Sequence, residues 1–292
     1  MTILADRRVL DVPGAQALID HAATFDSPAT LADWFRDAAG GLDLAEAAAA
    51  ARASAHAVLL APPGDGPLLA LRWFAPGTPT TIHSHGTWGV LVILEGHDTY
   101  ERWTPTGLAA THYLAAGDVL WWTPPPGDLH RQTSPDGALE LLFVGGVPDG
   151  VPVAEPSVRV DPLAEAYRRA YLDASTAPLA DAFHEDVLLD VCVPGWRFQV
   201  QGRQEVLDLL AADEFGPPGY RLTYFRTVPT ESGFVVEAEV RFASAGGERL
   251  WRVTHLVGVR DGRIAEQTSY CTGHWDAESV VRQRREAGMV RP

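Results

Sequence analysis

Short apolar runs, broken every few residues by Pro or Gly, fill the first half of the chain from Val58 onward. The runs at 58–61, 68–74, 89–95, 98–103, 111–114, 118–122 and 138–144 have the length of strands rather than helices. Many short strands with turn chemistry between them predict an all-β barrel or sandwich. Residues 14–56 read differently. Asp26-Ser27-Pro28 is a helix start ahead of Leu31, Trp34 and Phe35, and the alanine-rich stretch 43–57 favours another helix, so a helical lead-in is expected.

From Gly145 to Pro156 the chain carries too many Gly and Pro residues for a regular element and reads as a linker. Beyond it, Asp161-Pro162 opens a helix with Leu163, Tyr167, Ala170 and Tyr171 on one face, and a second helix is expected over 177–184. A strand at 186–193 and a helix at 203–213 precede four long strands at 220–230, 233–244, 248–260 and 263–274. Their turns, Glu231-Ser232-Gly233, Ala245-Gly246-Gly247 and Asp261-Gly262, are hairpin chemistry. Helices followed by an antiparallel meander predict an α+β domain, one sheet face of which carries Trp251, Val253, His255, Val257 and Val259 by the period of two. The expected organisation is a β domain with its helical lead-in over 1–147, a linker over 148–158 and the α+β domain over 159–292.

A length of 292 residues suits two cores better than one, and 46 % hydrophobic with 21 % charged residues suits a globular chain. No apolar run reaches the ~18 residues of a membrane span. The N-terminal stretch lacks the apolar segment of a secretion signal, and Cys192 and Cys271 belong to no C-x-x-C pair, so a cytoplasmic protein with reduced thiols is expected. The formal net charge of −15 would repel a phosphate backbone, which argues against a nucleic-acid partner.

Candidate chemistry concentrates on three histidines. In Gly77-Thr-Pro-Thr-Thr-Ile-His83-Ser-His85 two imidazoles stand at i and i+2, on one face of a strand. A third is offered by His130, after the glycines and prolines of Gly117–Gly127 have turned the chain. Three neutral imidazoles on one side of an ion leave positions open on the other, so His83, His85 and His130 are expected to hold one divalent metal. Arg72, Arg102 and Arg131 are the candidate cations near that mouth, and Tyr100 and Trp88 the candidate lining. His97 and His112 belong to neither motif and are expected at the surface.

The G-x5-H-x-H frame, the Gly117 and Pro124 frame before His130 and the run Ile82–Gly89 with Leu94-Glu95-Gly96 resemble the cupin superfamily, and within it the cysteine dioxygenase-like thiol dioxygenases. The resemblance covers about residues 55 to 147 and implies a double-stranded β-helix barrel. Many cupins add a glutamate ligand after the second His. Here Thr87, Trp88, Gly89 and Val90 fill that space, and three histidines without a carboxylate is the thiol dioxygenase pattern. The implied chemistry is Fe(II) binding a thiolate and O2 to give a sulfinic acid; Zn, Ni, Cu and Mn also suit imidazole ligands. Tyr100, Arg102 and Arg131 are the implied catalytic candidates. Two departures disfavour free cysteine as the substrate. Ala55-His56-Ala57 stands where the family's carboxylate-binding arginine is expected, and the Ser-x-His-x-Tyr shell falls on Glu140-Leu-Leu142-Phe-Val144.

Residues 160–276 resemble the SnoaL-like members of the nuclear transport factor 2-like (NTF2-like) superfamily, through Tyr167 and Tyr171, Val187–Asp190, Gly202–Leu207 and Gln267–Trp275. That implies a cone of curved sheet holding a pocket or a dimer surface, with Asp190, Tyr224, Trp251, His255, Tyr270 and His274 as pocket residues. The expected partners are a small-molecule substrate, O2 and a second copy of the chain. Three other functions compete: a three-His cupin acting on a carbon substrate, an acid–base enzyme working in the cone, and a metal- or ligand-binding cupin without catalysis.

Overall fold

The computed structural model describes residues 8–25, 27–62, 66–105, 107–125, 127–146, 151–152 and 161–286. These fall into two compact units: the first holds the described residues up to 152 other than 109–111, with 281–286, and the second holds 109–111 and 161–280. Among the described residues no helix is long and apolar enough to cross a membrane.

The first unit opens with helices α1 (Ala15–Ala22), α2 (Pro28–Ala39) and α3 (Ala45–Arg52). Ser27 caps α2 by accepting from the Thr30 N–H at 3.3 Å, with Pro28 in the first turn where its missing N–H costs nothing. Asp26 lies outside the described residues. Leu31, Phe35 and the alanines of α3 lie in one apolar cluster with Leu69, Leu71, Val90, Val92, Leu141 and Phe143 of the strands.

Those strands are β1 (Val58–Leu59), β2 (Leu68–Phe74), β3 (His83–Ser84), β4 (Gly89–Thr104), β5 (Gly107–Ala115), β6 (Val119–Trp122), β7 (His130–Thr133), β8 (Ala138–Val144) and β9 (Val151–Pro152). The two runs expected at 89–95 and 98–103 are one strand, β4, which serves two sheets. Its first half pairs with β6 and β8, and β8 continues to β2 and β1. Its second half pairs with β7, and β7 with β3. A register shift between Ile93 and Glu95, followed by Gly96 in the left-handed region (φ 75°), separates the two roles. The expected linker is mostly outside the described residues. Where it is described, Val151 and Pro152 pair with Ser84 and His83, an extended contact that needs no donor from the proline.

The second unit contains α4 (Pro162–Asp173), β10 (Phe183–Val193), β11 (Trp196–Gln201), α5 (Arg203–Leu209), β12 (Arg221–Thr230), β13 (Gly233–Ser244), β14 (Gly247–Arg260) and β15 (Arg263–Cys271). The Asp161 carboxylate caps α4 by accepting from the Leu163 N–H at 2.8 Å. The sheet runs β12-β13-β14-β15-β10-β11, antiparallel except where β10 lies parallel to β15. Asp261 (φ 53°) and Gly262 (φ 73°) form the two-residue hairpin that the sequence predicts. The helix expected over 177–184 is a single turn at Ala177–Leu179, because Phe183 already pairs with Ile264 on β15. The helix expected over 203–213 ends at Leu209 and continues as a π-turn, Leu210–Glu214.

Gly96 and Gly117 separate backbone strain from crowding. Both have positive φ, but a Cβ at Gly96 would lie 1.8 Å from the Gly137 carbonyl oxygen, whereas at Gly117 it would meet nothing within 4 Å. Gly117→Ala is expected to cost about 1–2 kcal/mol from the left-handed conformation alone. Gly96→Ala is expected to cost about 1–3 kcal/mol more from overpacking. Urea unfolding of the full chain measures both, and equal losses would refute the crowding argument.

Candidate metal centre

His83 sits on β3 opposite His130 on β7, and His130 is in turn opposite Arg102 on β4. His85 follows two residues after His83, so strand alternation returns it to the same side. One ring nitrogen from each of the three lies within 4.8 Å of the others, and no carboxylate belongs to the group. His83 Nδ1 lies 2.9 Å from the Thr81 carbonyl oxygen and His130 Nδ1 2.7 Å from that of Asp128. A carbonyl accepts only, so each Nδ1 carries the proton and each Nε2 keeps a lone pair for an ion. Burial pushes His130 well below the usual imidazole range, helped by its neighbours His83 and His85, and burial lowers His83 as well. His83 and His130 are therefore favoured in their neutral form and oriented with Nε2 free for a cation.

Two segments distant in sequence are tied together at this point by Asp128. Its carbonyl holds His130, while its fully buried carboxylate accepts from the Ser84 hydroxyl and from the Gly86 N–H at 2.8 Å. Aromatic rings brace the imidazoles from behind: Tyr100 stacks on His130 (4.8 Å, 8°) and Trp122 on His85 (5.3 Å, 30°). Trp122 is itself held by donating to the Thr87 carbonyl at 3.0 Å.

The other first-unit candidates separate by strand parity. Tyr100 and Arg102 alternate on β4 with their partners Gln132 and His130, so both share the face of the imidazoles. Burial holds the Tyr100 phenol well above its usual range, opposed by the nearby Arg102 charge. Arg131 falls on the opposite face, bonded to Glu101 at 2.6 Å and lying 5.0 Å from the Trp103 ring centroid. Trp88 lies against Phe143 in the apolar layer that also holds α2 and α3. His97 is exposed and pairs with Asp136 at 2.7 Å. His112, expected at the surface, is only 6 % exposed, and its ring meets Tyr100 edge-on at 6.3 Å.

A polar layer that the sequence did not announce lies on the same interior face. Gln132 Nε2 donates to Asp98 Oδ2 at 3.1 Å and to Glu140 Oε2 at 2.9 Å, and Arg72 faces Glu140 across β2 and β8. Burial pushes Asp98 up to about 7 and Glu140 well above its usual range, the latter helped by the Asp98 charge. Leu142 and Val144, the other two positions of the expected Ser-x-His-x-Tyr shell, join Tyr100 and Trp122 in an apolar cluster.

In the second unit, Trp251 and His255 lie on the buried face of β14, and His274 packs 5.5 Å from the Trp251 ring. His255 contacts Tyr171 and Glu214, neither of which the sequence pattern singled out as a site residue. Asp190 bonds Arg197 and Gln199 instead, and Arg197 holds its carboxyl down at about 2. Tyr224 lies on the sheet face it shares with Glu239 and Arg252. Tyr270 is half exposed and opposite Thr254, on that same outer face. The cause is a register shift between Gly258 and Val259 on β14, without which the hairpin would set Tyr270 against the inward-facing Val253.

No family model and no curated protein matches the chain. Among solved structures, an NTF2-like protein of unknown function from Cytophaga hutchinsonii is 19 % identical over 39 % of this chain and 99 % of its own, with a TM-score of 0.32. One from Mesorhizobium loti is 27 % identical over 41 % of this chain and 98 % of its own, at 0.30. An uncharacterised conserved protein with a double-stranded β-helix domain, from Klebsiella pneumoniae, is 14 % identical over 34 % of this chain and 84 % of its own, at 0.29.

Asp98 generates a stability prediction. A carboxyl raised to about 7 on folding keeps a proton that the unfolded chain releases near pH 4. Stability therefore falls as pH rises from about 4 to about 7, by at most about 1.4 kcal/mol per unit for one group, and levels off above. Urea unfolding between pH 5 and 7 is expected to show a shallower decline for Asp98→Asn than for the native chain, and parallel declines would overturn the assignment.

Proposed function

We propose that the first unit is a thiol dioxygenase-like cupin in which His83, His85 and His130 bind Fe(II), and that the protein uses O2 to oxidise a small thiol other than free cysteine to its sulfinic acid. The observation that carries this reading is the convergence of three imidazoles, two of them buried and His83 half-buried, with no carboxylate in the group. A neutral donor set leaves the anionic place to the substrate, which a thiolate fills. When bound, Fe(II) supplies the place where thiolate and O2 meet and through which electrons pass from sulfur to oxygen.

The chain's own contribution is orientation and exclusion of water. Asp128 and the Thr81 carbonyl fix the imidazoles, and Trp122 and Tyr100 close the site from behind. Arg102 is a cation on the imidazole face, placed to meet a polar group of the substrate, and Arg72, near His83, faces Glu140. The Tyr100 phenol, kept protonated by burial, is a hydrogen-bond donor rather than a base. Free cysteine fits poorly because the shell positions at Leu142 and Val144 offer no hydroxyl or imidazole, and Ala55-His56-Ala57 offers no arginine for its carboxylate.

Oxygen consumption by the iron-loaded protein tests this against cysteine, 3-mercaptopropionate, cysteamine and uncharged thiols, with sulfinate read by mass spectrometry. Uptake is expected with at least one non-cysteine thiol and is abolished in His83→Ala. Losing the charge-assisted contact is worth about 1.5–3 kcal/mol, so cysteine should bind roughly tenfold to hundredfold more weakly than the preferred thiol. Efficient cysteine turnover would overturn the substrate class, and no uptake with any thiol would overturn the reading itself.

A further inference from the structure

A divalent ion held by His83, His85 and His130 brings two positive charges into the first unit, and no carboxylate belongs to the donor group to offset them. Besides Asp128, the buried acids of that unit among the described residues are Asp98 and Glu140, 1 % and 0 % exposed. One side chain joins both to the strand that carries a ligand. Gln132 stands two residues beyond His130 on β7, about 7 Å along the strand and on the same face. Its amide donates to Asp98 at 3.1 Å and to Glu140 at 2.9 Å. Its backbone holds the segment before His83, accepting from the Thr80 N–H at 2.9 Å and from the same residue's side binding the Thr80 hydroxyl oxygen through its own N–H at 3.0 Å. The histidines and the acid pair therefore share one support.

A proton is retained between the two acids, yet the groups round Asp98 suit a charged carboxylate. Gln132 Nε2 donates to it, and the backbone N–H groups of Thr99 and Thr133 also favour its ionised form. Burial opposes them and prevails, holding the carboxyl at about 7. The donors are thus in place before the charge is, and a nearby positive charge suffices to tip the balance. The other charged or titratable groups facing the pair are Arg72 on β2, Tyr100 and Arg102 on β4, and Asp128, with His130 stacked beyond Tyr100. Both arginines stay charged, and burial keeps the Tyr100 phenol protonated.

We infer that Asp98 and Glu140 are the counter-charge of the metal centre: when a divalent ion binds the three histidines, the pair loses a proton to solvent and keeps the negative charge. The inference rests on the three-histidine metal site of the proposed function and not on its thiol substrate. An ion of charge +2 at roughly 10 Å, at an effective dielectric of about 20, lowers the pKa of an acid by about two. An acid at about 7 is then ionised at neutral pH. The chain thereby supplies, from beyond the ligands, the negative charge that the ligands lack.

Calorimetry of Zn2+ binding to the metal-free full-length protein near pH 6.5, repeated in buffers of different ionisation enthalpy, counts the protons released per ion. An acid at about 7 is about three-quarters protonated at that pH, so the native chain is expected to release about half a proton or more per ion beyond Asp98→Asn. The three histidines and Asp128 are common to both proteins and cancel in the difference. Circular dichroism establishes that the variant folds. Infrared difference spectra of the native chain need no variant: Zn2+ at fixed pH should remove a protonated-carboxyl C=O band. Equal proton release by the two folded proteins, or an unchanged carboxyl band, would overturn the inference. Absence of Zn2+ binding would overturn the three-histidine site with it. Binding with this proton release supports the inference even where no thiol is oxidised, so its failure is distinct from that of the oxygenase reading.

Discussion

The three-histidine cluster depends on one short-range constraint, the clasp that Asp128 makes between two segments more than forty residues apart. Its carbonyl sets the His130 tautomer while its carboxylate holds the Ser84–Gly86 turn that carries His85. Beside it, the His83 and His130 register pair and the bonds between Thr80 and Gln132 join the same two segments. The side chain is fully buried, and a hydroxyl and a backbone N–H both donate to its Oδ2, the pairing that a buried polar atom requires. The clasp is thus both an electrostatic obligation of the fold and the device that brings the ligands together.

Behind the clasp, strand alternation sorts the remaining polar groups. Because β4 and β7 are antiparallel and in register over Thr99–Arg102, consecutive side chains go to opposite faces without exception. Tyr100 and Arg102 are therefore interior with His130 and Gln132, and Glu101 and Arg131 form their ion pair outside. The same rule carries Asp98 inward, where it meets Glu140 and Gln132. Two carboxyl groups so close in a desolvated layer cannot both ionise at neutral pH, which is why both are pushed upward and a proton is retained between them.

What the sequence made legible follows from this logic. The three histidines could be read because a His-x-His pair on a strand has one geometric meaning, and the strand runs because Pro and Gly punctuate them. Glu140 was hidden because β8 is buried at all seven positions, leaving no alternation to mark a polar residue as interior. Asp128 was hidden because its role joins two loops, and no spacing rule connects it to Ser84 and Gly86. Tyr270 was misplaced by one residue: the register shift at Gly258 inverts the face of everything beyond it on β15, and a bulge of that kind leaves no mark in a hydrophobic pattern. Glu214 was lost for a related reason, since the π-turn departs from the 3.6-residue period by which a helix face is assigned.

The two polar clusters solve the burial of titratable groups in opposite ways. In the first unit Asp98 and Glu140 keep a proton, and Gln132 donates to both acids at once. In the second, hydrogen bonds run from Tyr167 through the Gln267 amide to His255, whose Nε2 meets both Tyr171 and Glu214 Oε1, so the cluster converges on one carboxylate. A layer in which acids share a proton closes on itself. A directional chain has an end, and here the bonds from Tyr171 and His255 converge on Glu214 Oε1. That asymmetry separates the two: the first cluster shares its proton within the interior face beside the three histidines, and the second directs its bonds toward one residue, Glu214.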